Sequence, residues 1–279
     1  MIDRPAGCYR RVLPVSLERL YENLLDWERL PYVHRTRCAA VACLDSGAWG
    51  WRASVTAVAG DAAMTGGEYL VEVRLDRRCR RWVTRITDAM GVLAEIRAEA
   101  RPRADGQLEM TADFFVAAES PWDHLSAADR YAQLSAELYD ADVAVMVERQ
   151  RQLDRRIDGA RHPSQPCDLG LRDTLALPLE FEFGGREFRL VEVDQRLRAF
   201  PLRCPHWLGP LGAGRLDGGV VTCPWHGYRF DVASGDNLSG GSCRLSHLPE
   251  VALTPDGRVL IVQEKTGQSG VNSAPPISG

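Results

Sequence analysis

The sequence predicts two domains of different class: an α+β domain over residues 1–157, then an all-β domain over 171–265. Three observations carry this. From about 36 to 118 apolar residues recur at every second position, framed by stretches near 16–28 and 126–157 where they recur at helical spacing. Around 158–170, Gly159, Pro163, Pro166 and Gly170 abolish any periodicity, as a linker would. Beyond that, short alternating runs surround two close pairs of Cys and His.

In chain order, residues 16–28 read as a helix. Ser16 is placed to cap it, and Leu17, Leu20, Tyr21, Leu24 and Leu25 form one apolar face. Pro31 is expected to end or kink it. The period-two segment follows. Tyr69, Val71, Val73 and Leu75 alternate with Glu72, Arg74 and Asp76, and 82–86, 93–96 and 108–116 behave alike. Gly66-Gly67, Met90-Gly91 and Ala104-Asp105-Gly106 supply turns, so the pattern predicts an antiparallel meander with one wet face. Arg77, Arg78, Arg80 and Arg81 read as a solvated hairpin end. Residues 126–157 read as a long helix opened by Ser126 and Asp129, with Tyr131, Leu134, Leu138, Val145 and Met146 on its buried stripe. Asp142 falls on that same stripe, where an acid is costly unless paired, protonated or bound to metal.

After the linker, Leu179–Phe183 and Phe188–Val191 alternate around Gly184-Gly185, and Val259–Val262 reads as a closing strand. The stretch 266–279 is rich in Gly, Ser and Pro and is expected to be disordered.

A chain of 279 residues with 45% hydrophobic content can build two cores. A net charge of −4 gives no general reason to expect nucleic acid. No run reaches the ~20 apolar residues of a membrane span, and no apolar segment follows Arg10-Arg11, so no export signal is expected. Six of the eight Cys are scattered without a disulfide framework. Together these predict a cytoplasmic protein without membrane or nucleic-acid partners.

The remaining two Cys carry the chemistry. Cys204-Pro205-His206 is followed after sixteen residues by Cys223-Pro224-Trp225-His226. Structural zinc sites usually pair Cys with Cys and His with His along the chain. Here each pair offers one thiolate and one imidazole, as a [2Fe–2S] cluster requires when two Cys hold one iron and two His the other. Pro205 and Pro224 stiffen the loops, and Gly209, Pro210 and Gly227 permit tight turns near inorganic sulfur. The stretch resembles the Rieske motif of ring-hydroxylating oxygenases and their ferredoxins. That resemblance implies a Rieske [2Fe–2S] cluster on Cys204, His206, Cys223 and His226. The Rieske proteins of cytochrome bc complexes carry an extra disulfide between the loops, and the matching positions here are Gly209 and Trp225. Their hydroxyl two residues beyond the last His corresponds to Tyr228. The expected potential is toward the low end, on the order of −150 mV.

The first domain resembles the helix-grip (START-like, SRPBCC) fold, in which a curved sheet wraps a long helix around an apolar cavity. In ring-hydroxylating oxygenases that fold holds a mononuclear iron through Asp-x(2)-His-x(4)-His and a later Asp. Asn23, Asp26, His34 and Asp142 match that pattern, but Arg29 stands where the first His should be, and the domain order is reversed. Arginine does not deprotonate in proteins and is no ligand. A guanidinium would instead pair Asp142, so no mononuclear Fe(II) is expected; His124 and His162 are the imidazoles that would have to replace the missing one. The resulting expectation is an oxidoreductase passing single electrons, with an apolar ligand site in the first domain. It contains no evident nicotinamide or flavin motif, which implies a separate reductase or ferredoxin as donor. The alternatives are an oxygenase with a noncanonical iron, and a ligand-binding module whose cluster senses redox state.

Overall fold

The computed structural model describes residues 5–58, 67–89, 91–116, 124–157 and 165–263. It divides into two compact units. The first contains residues 1–158 together with 206–215 and 222–228; the second contains 159–205, 216–221 and 229–279.

In the first unit, β1 (Gly7–Leu13) leads to helix α1 (Leu17–Leu25) and the single turn α2 (Leu30–Val33). Six strands follow: β2 (Cys38–Gly47), β3 (Gly50–Ala57), β4 (Glu68–Asp76), β5 (Arg81–Asp88), β6 (Gly91–Pro102) and β7 (Leu108–Val116). The long helix α3 (His124–Ile157) comes next. The strands form one antiparallel sheet in the order β1-β7-β6-β5-β4-β3-β2. The meander is therefore as expected, and β1 closes its far edge by pairing β7 from Gly7↔Phe114 to Leu13↔Leu108. Helix α3, about 50 Å long, packs against β1, β7 and α1. Leu13, Leu20, Trp82, Met110, Phe114 and Met146 form the core between them. A sheet gripping one long C-terminal helix is the helix-grip architecture.

Strand β1 has no apolar alternation, because one of its inward positions is Arg11. That arginine is neutralised by Asp140 of α3 at 2.6 Å and donates to the Ala136 carbonyl at 3.3 Å. Helix α1 starts where expected, with the Ser16 hydroxyl accepting from the Arg19 N–H. It stops three residues early, at Leu25. Pro31 does not terminate it; proline lacks only an N–H that a first turn leaves unused, and Pro31 sits in the first turn of α2. The capping side chain assigned to Ser126, Tyr131 of the expected buried stripe, the candidate His124 side chain and His162 all lie outside the described side chains, as does the 266–279 segment.

The second unit is built on short strands. These are β8 (Cys167–Leu171), β9 (Leu179–Phe183), β10 (Arg186–Val193), β11 (Arg196–Pro201), β12 (Arg215–Asp217), β13 (Val220–Thr222), β14 (Arg229–Asp231), β15 (Glu250–Leu253) and β16 (Arg258–Val262). They make three sheets, β11-β10-β9, β12-β13-β14 and β15-β16-β8. Phe183, Phe188, Leu190, Ala199, Val259 and Ile261 fill the core. Residues 167–170, read from sequence as the end of a linker, belong to strand β8, which pairs β16 with a bulge at Val259/Leu260. Gly170 sits at that bulge, so the glycine that looked like a breaker accommodates an irregular register. Among the described residues, no helix is long and apolar enough to cross a membrane.

The Ser16 cap sets where α1 begins, and hence where its last turn presents Asn23 and Asp26. Ser16→Ala is expected to destabilise the protein by about 1 kcal/mol, read as a lower urea midpoint at unchanged slope.

Candidate metal centre

The four sequence-singled residues lie on two loops. The first runs from β11 to β12 through Cys204, Pro205, His206 and Trp207. The second joins β13 to β14 through Cys223, Pro224, Trp225 and His226. In the second loop the Cys223 N–H donates to the Tyr228 carbonyl at 2.8 Å and the Gly227 N–H to the Cys223 carbonyl at 3.0 Å, which closes a tight turn. Gly227 has φ 67°, and a Cβ there would run into the Tyr32 ring. A Cβ at Gly209 would stand 3.0 Å from both Cys223 Sγ and the Trp225 ring. Glycine at 209 therefore lets the first loop close over the second thiol, and an indole–backbone contact occupies the place of the extra disulfide.

The two imidazoles lie close together. The rings of His206 and His226 are edge to face with centroids 4.6 Å apart, and His206 stacks on Tyr228 at 4.4 Å. Nδ1 of each ring is buried and, among the described residues, has no hydrogen-bond partner. Two such orphaned nitrogens side by side are expensive in a folded protein unless something else binds them. Cys204 and Cys223 are each 1% exposed. Burial, and then the neighbouring His226, push the His206 pKa down to about 4, so that its ring is neutral with a lone pair available. The donor set fits a cluster with two thiolates and two imidazoles. Among the described residues no three His, Cys, Asp or Glu converge on one ion. A cluster that asks only two protein ligands of each iron makes no such demand.

The two imidazoles differ in what lies behind them. His226 Nε2 is 2.8 Å from Asp26 Oδ2, a carboxylate partner of the kind that fixes the ring of a metal-bound histidine. His206 instead lines a cleft of about 330 Å³ with Glu22, Leu25, Asp26, Trp27, Glu28 and Trp207. The loops are held by side chains that no sequence pattern flagged. Arg149 of α3 donates through Nη1 to the Trp207 carbonyl at 3.2 Å, lies 4.2 Å above the Trp207 ring, and pairs with Glu22 at 2.6 Å. The Tyr228 hydroxyl reaches Glu28 Oε2 at 3.4 Å. Only the tertiary fold reveals the use of Arg149 and Glu22.

Asn23, Asp26, Arg29, His34 and Asp142 are also brought together. Arg29 Nη1 bonds Asp142 Oδ1, and Nη2 lies 3.4 Å from Oδ2. His34 Nε2 is 2.9 Å from Oδ1, and Asn23 Nδ2 donates to Oδ2 at 3.0 Å. Arg29 Nη2 also donates to the Asn23 carbonyl at 3.0 Å. Burial pushes the Asp142 pKa up, but the Arg29 charge and the bonds from His34 and Asn23 prevail and hold it below the ordinary carboxylate value. A carboxylate offers about four lone-pair sites, and four donors occupy them. These residues do not fit a mononuclear metal ion.

The family description "Rieske [2Fe-2S] domain" matches residues 166–246. Apoptosis-inducing factor 3 of Homo sapiens is 40% identical over 57 residues, 20% of this chain but only 9% of that protein's length. Ferredoxin CarAc of Metapseudomonas resinovorans is 30% identical over 82 residues, which are 29% of this chain and 76% of that ferredoxin. Among solved structures, the ferredoxin of carbazole 1,9a-dioxygenase from Nocardioides aromaticivorans IC177 aligns over 36% of this chain and all of its own, with 23% identity and a TM-score of 0.32. With its loops, its donor set and a ferredoxin relative spanned over three quarters of its length, the chain belongs to the Rieske [2Fe–2S] family.

Proposed function

We propose that this protein is a one-electron carrier in which Cys204 and Cys223 hold one iron of the cluster and His206 and His226 the other. The observation that carries this is the pair of buried Nδ1 atoms on adjoining imidazoles, without hydrogen-bond partners among the described residues. When bound, the cluster supplies reversible uptake of a single electron. The chain's own residues do the rest. Asp26 fixes the His226 ring, Gly209 and Trp225 close the loops over the Cys223 thiol, and Arg149 holds the first loop in place. The ligand His206 is half-buried at the cleft, and we assign electron exchange with a separate reductase or ferredoxin to that side. An apolar or aromatic ligand site is supported by the same cleft, whose walls include Leu25, Trp27 and Trp207. The oxygenase reading is set second, because Arg29, His34 and Asn23 fill the coordination sites of Asp142.

The reduced protein should give a Rieske-type EPR signal with an average g value below that of all-Cys ferredoxins. Cys204→Ser should abolish both colour and signal. A colourless protein holding stoichiometric zinc contradicts the assignment.

Arg149→Ala removes a cation–π contact, a carbonyl bond and an ion pair at once. It is expected to cost roughly 1–3 kcal/mol and to speed loss of the cluster's visible absorbance in excess chelator. Bleaching at the parent's rate would show that Arg149 does not hold the loop.

A further inference from the structure

We infer that Arg29 is a built-in cation standing in for a metal ion, and that through Asp26 it positions the cluster ligand His226. The second half rests on the ligand assignment above; the first does not.

Two carboxylates, Asp26 and Asp142, are buried on either side of one guanidinium. The Asp26 side chain is 6% exposed and the Arg29 side chain 5%. Arg29 meets Asp142 with its two-pronged end, one nitrogen to each oxygen. Its Nε lies 3.7 Å from Asp26 Oδ2, the same oxygen that His226 Nε2 approaches at 2.8 Å. One fixed charge thus faces an acid from α3 and an acid from the end of α1. A divalent ion would do the same electrostatic work, drawing carboxylates and an imidazole of separate elements to one point. The guanidinium differs in that it cannot dissociate, cannot be oxidised and cannot lose its charge by deprotonation.

The geometry of Arg29 favours this role over an incidental ion pair. Its Nη2 is also bonded to the Asn23 carbonyl, so the group is tied to α1 by backbone as well as by charge. Its Nε is buried and, among the described residues, has no hydrogen-bond partner, a cost accepted while Nε faces Asp26. Asp26 has two cationic or N–H neighbours here, Arg29 and His226. Without Arg29, a buried Asp26 would face only the imidazole and a second acid beyond it. It would then be expected to swing away from that acid, which withdraws the acceptor from His226.

The experiment uses the full chain with its cluster and Co(II) as the probe metal. Arg29→Met is expected to lower the thermal midpoint by about 10 °C, with no recovery on adding Co(II). It should also shift the cluster's EPR g values and reduction potential. Asp26→Asn should shift them in the same sense, and Arg29→Lys should keep them near the parent's. Arg29→His places an imidazole beside His34 and Asp142. It is expected to regain the parent's midpoint only with Co(II), taking one ion per chain with visible d–d bands that Asp142→Asn in the same background removes. The inference is overturned by an Arg29→Met protein with the parent's midpoint and EPR spectrum. It is equally overturned by a parent chain that itself binds one Co(II) lost in Asp142→Asn. If Arg29→Met yields no folded protein, Arg29→His decides: folding that depends on Co(II) sustains the inference, and folding indifferent to it does not. A parent lacking any Rieske signal would sink the ligand assignment and leave the midpoint and Co(II) measurements intact as tests of Arg29.

Discussion

An acid on the buried stripe of a long helix must find partners, and in this protein the need of Asp142 organises much of the first unit. Its carboxylate draws in Asn23 from α1, Arg29 from the start of α2 and His34 from its end. Each contact fixes the turn of chain between α1 and β2 against α3. Isolated, such a buried charge would be severely destabilising; saturated with four donors, it becomes a point where separate elements are held in register. The same turn carries Asp26, so the placement of a residue far from residue 142 in sequence is tied to how that acid is satisfied.

The two imidazoles of the cluster loops consequently have different surroundings. His226 is turned inward, its far nitrogen against a carboxylate that belongs to a buried charge network. His206 lies against Tyr228 and borders a cleft with two indoles and three acids. Two side chains of the same type are thus differentiated by what lies behind them rather than by the loops that present them. Distinct hydrogen bonding is one of the means by which a protein tunes such a centre.

How much of this could be read from sequence depended on whether the information was local. Cys204, His206, Cys223 and His226 announce themselves because ligand order and turn residues are adjacent in the chain. The meander is legible from strict alternation in residues 69–75 and 108–116. Strand β1 was not, because its inward Arg11 breaks the apolar alternation and is neutralised by Asp140 of a distant helix. The strand at 167–171 was hidden by Gly170, which marks a bulge in the pairing with β16 rather than a break. Asp142 was recognisable as an anomaly on its helix face, and Arg29 as a departure from a pattern. The roles of Glu22, Tyr32 and Arg149 in holding the cluster loops had no sequence signal, since each looks like an ordinary surface residue until the chain folds back on it.

The clamp on the cluster loops has a consequence for biogenesis. The side chains that receive those loops, from Glu22, Tyr32 and Glu28 to Arg149, are all translated before Cys204 leaves the ribosome. Synthesis is vectorial, so every group that the loops meet through these contacts is already in the nascent chain when the first thiol is made.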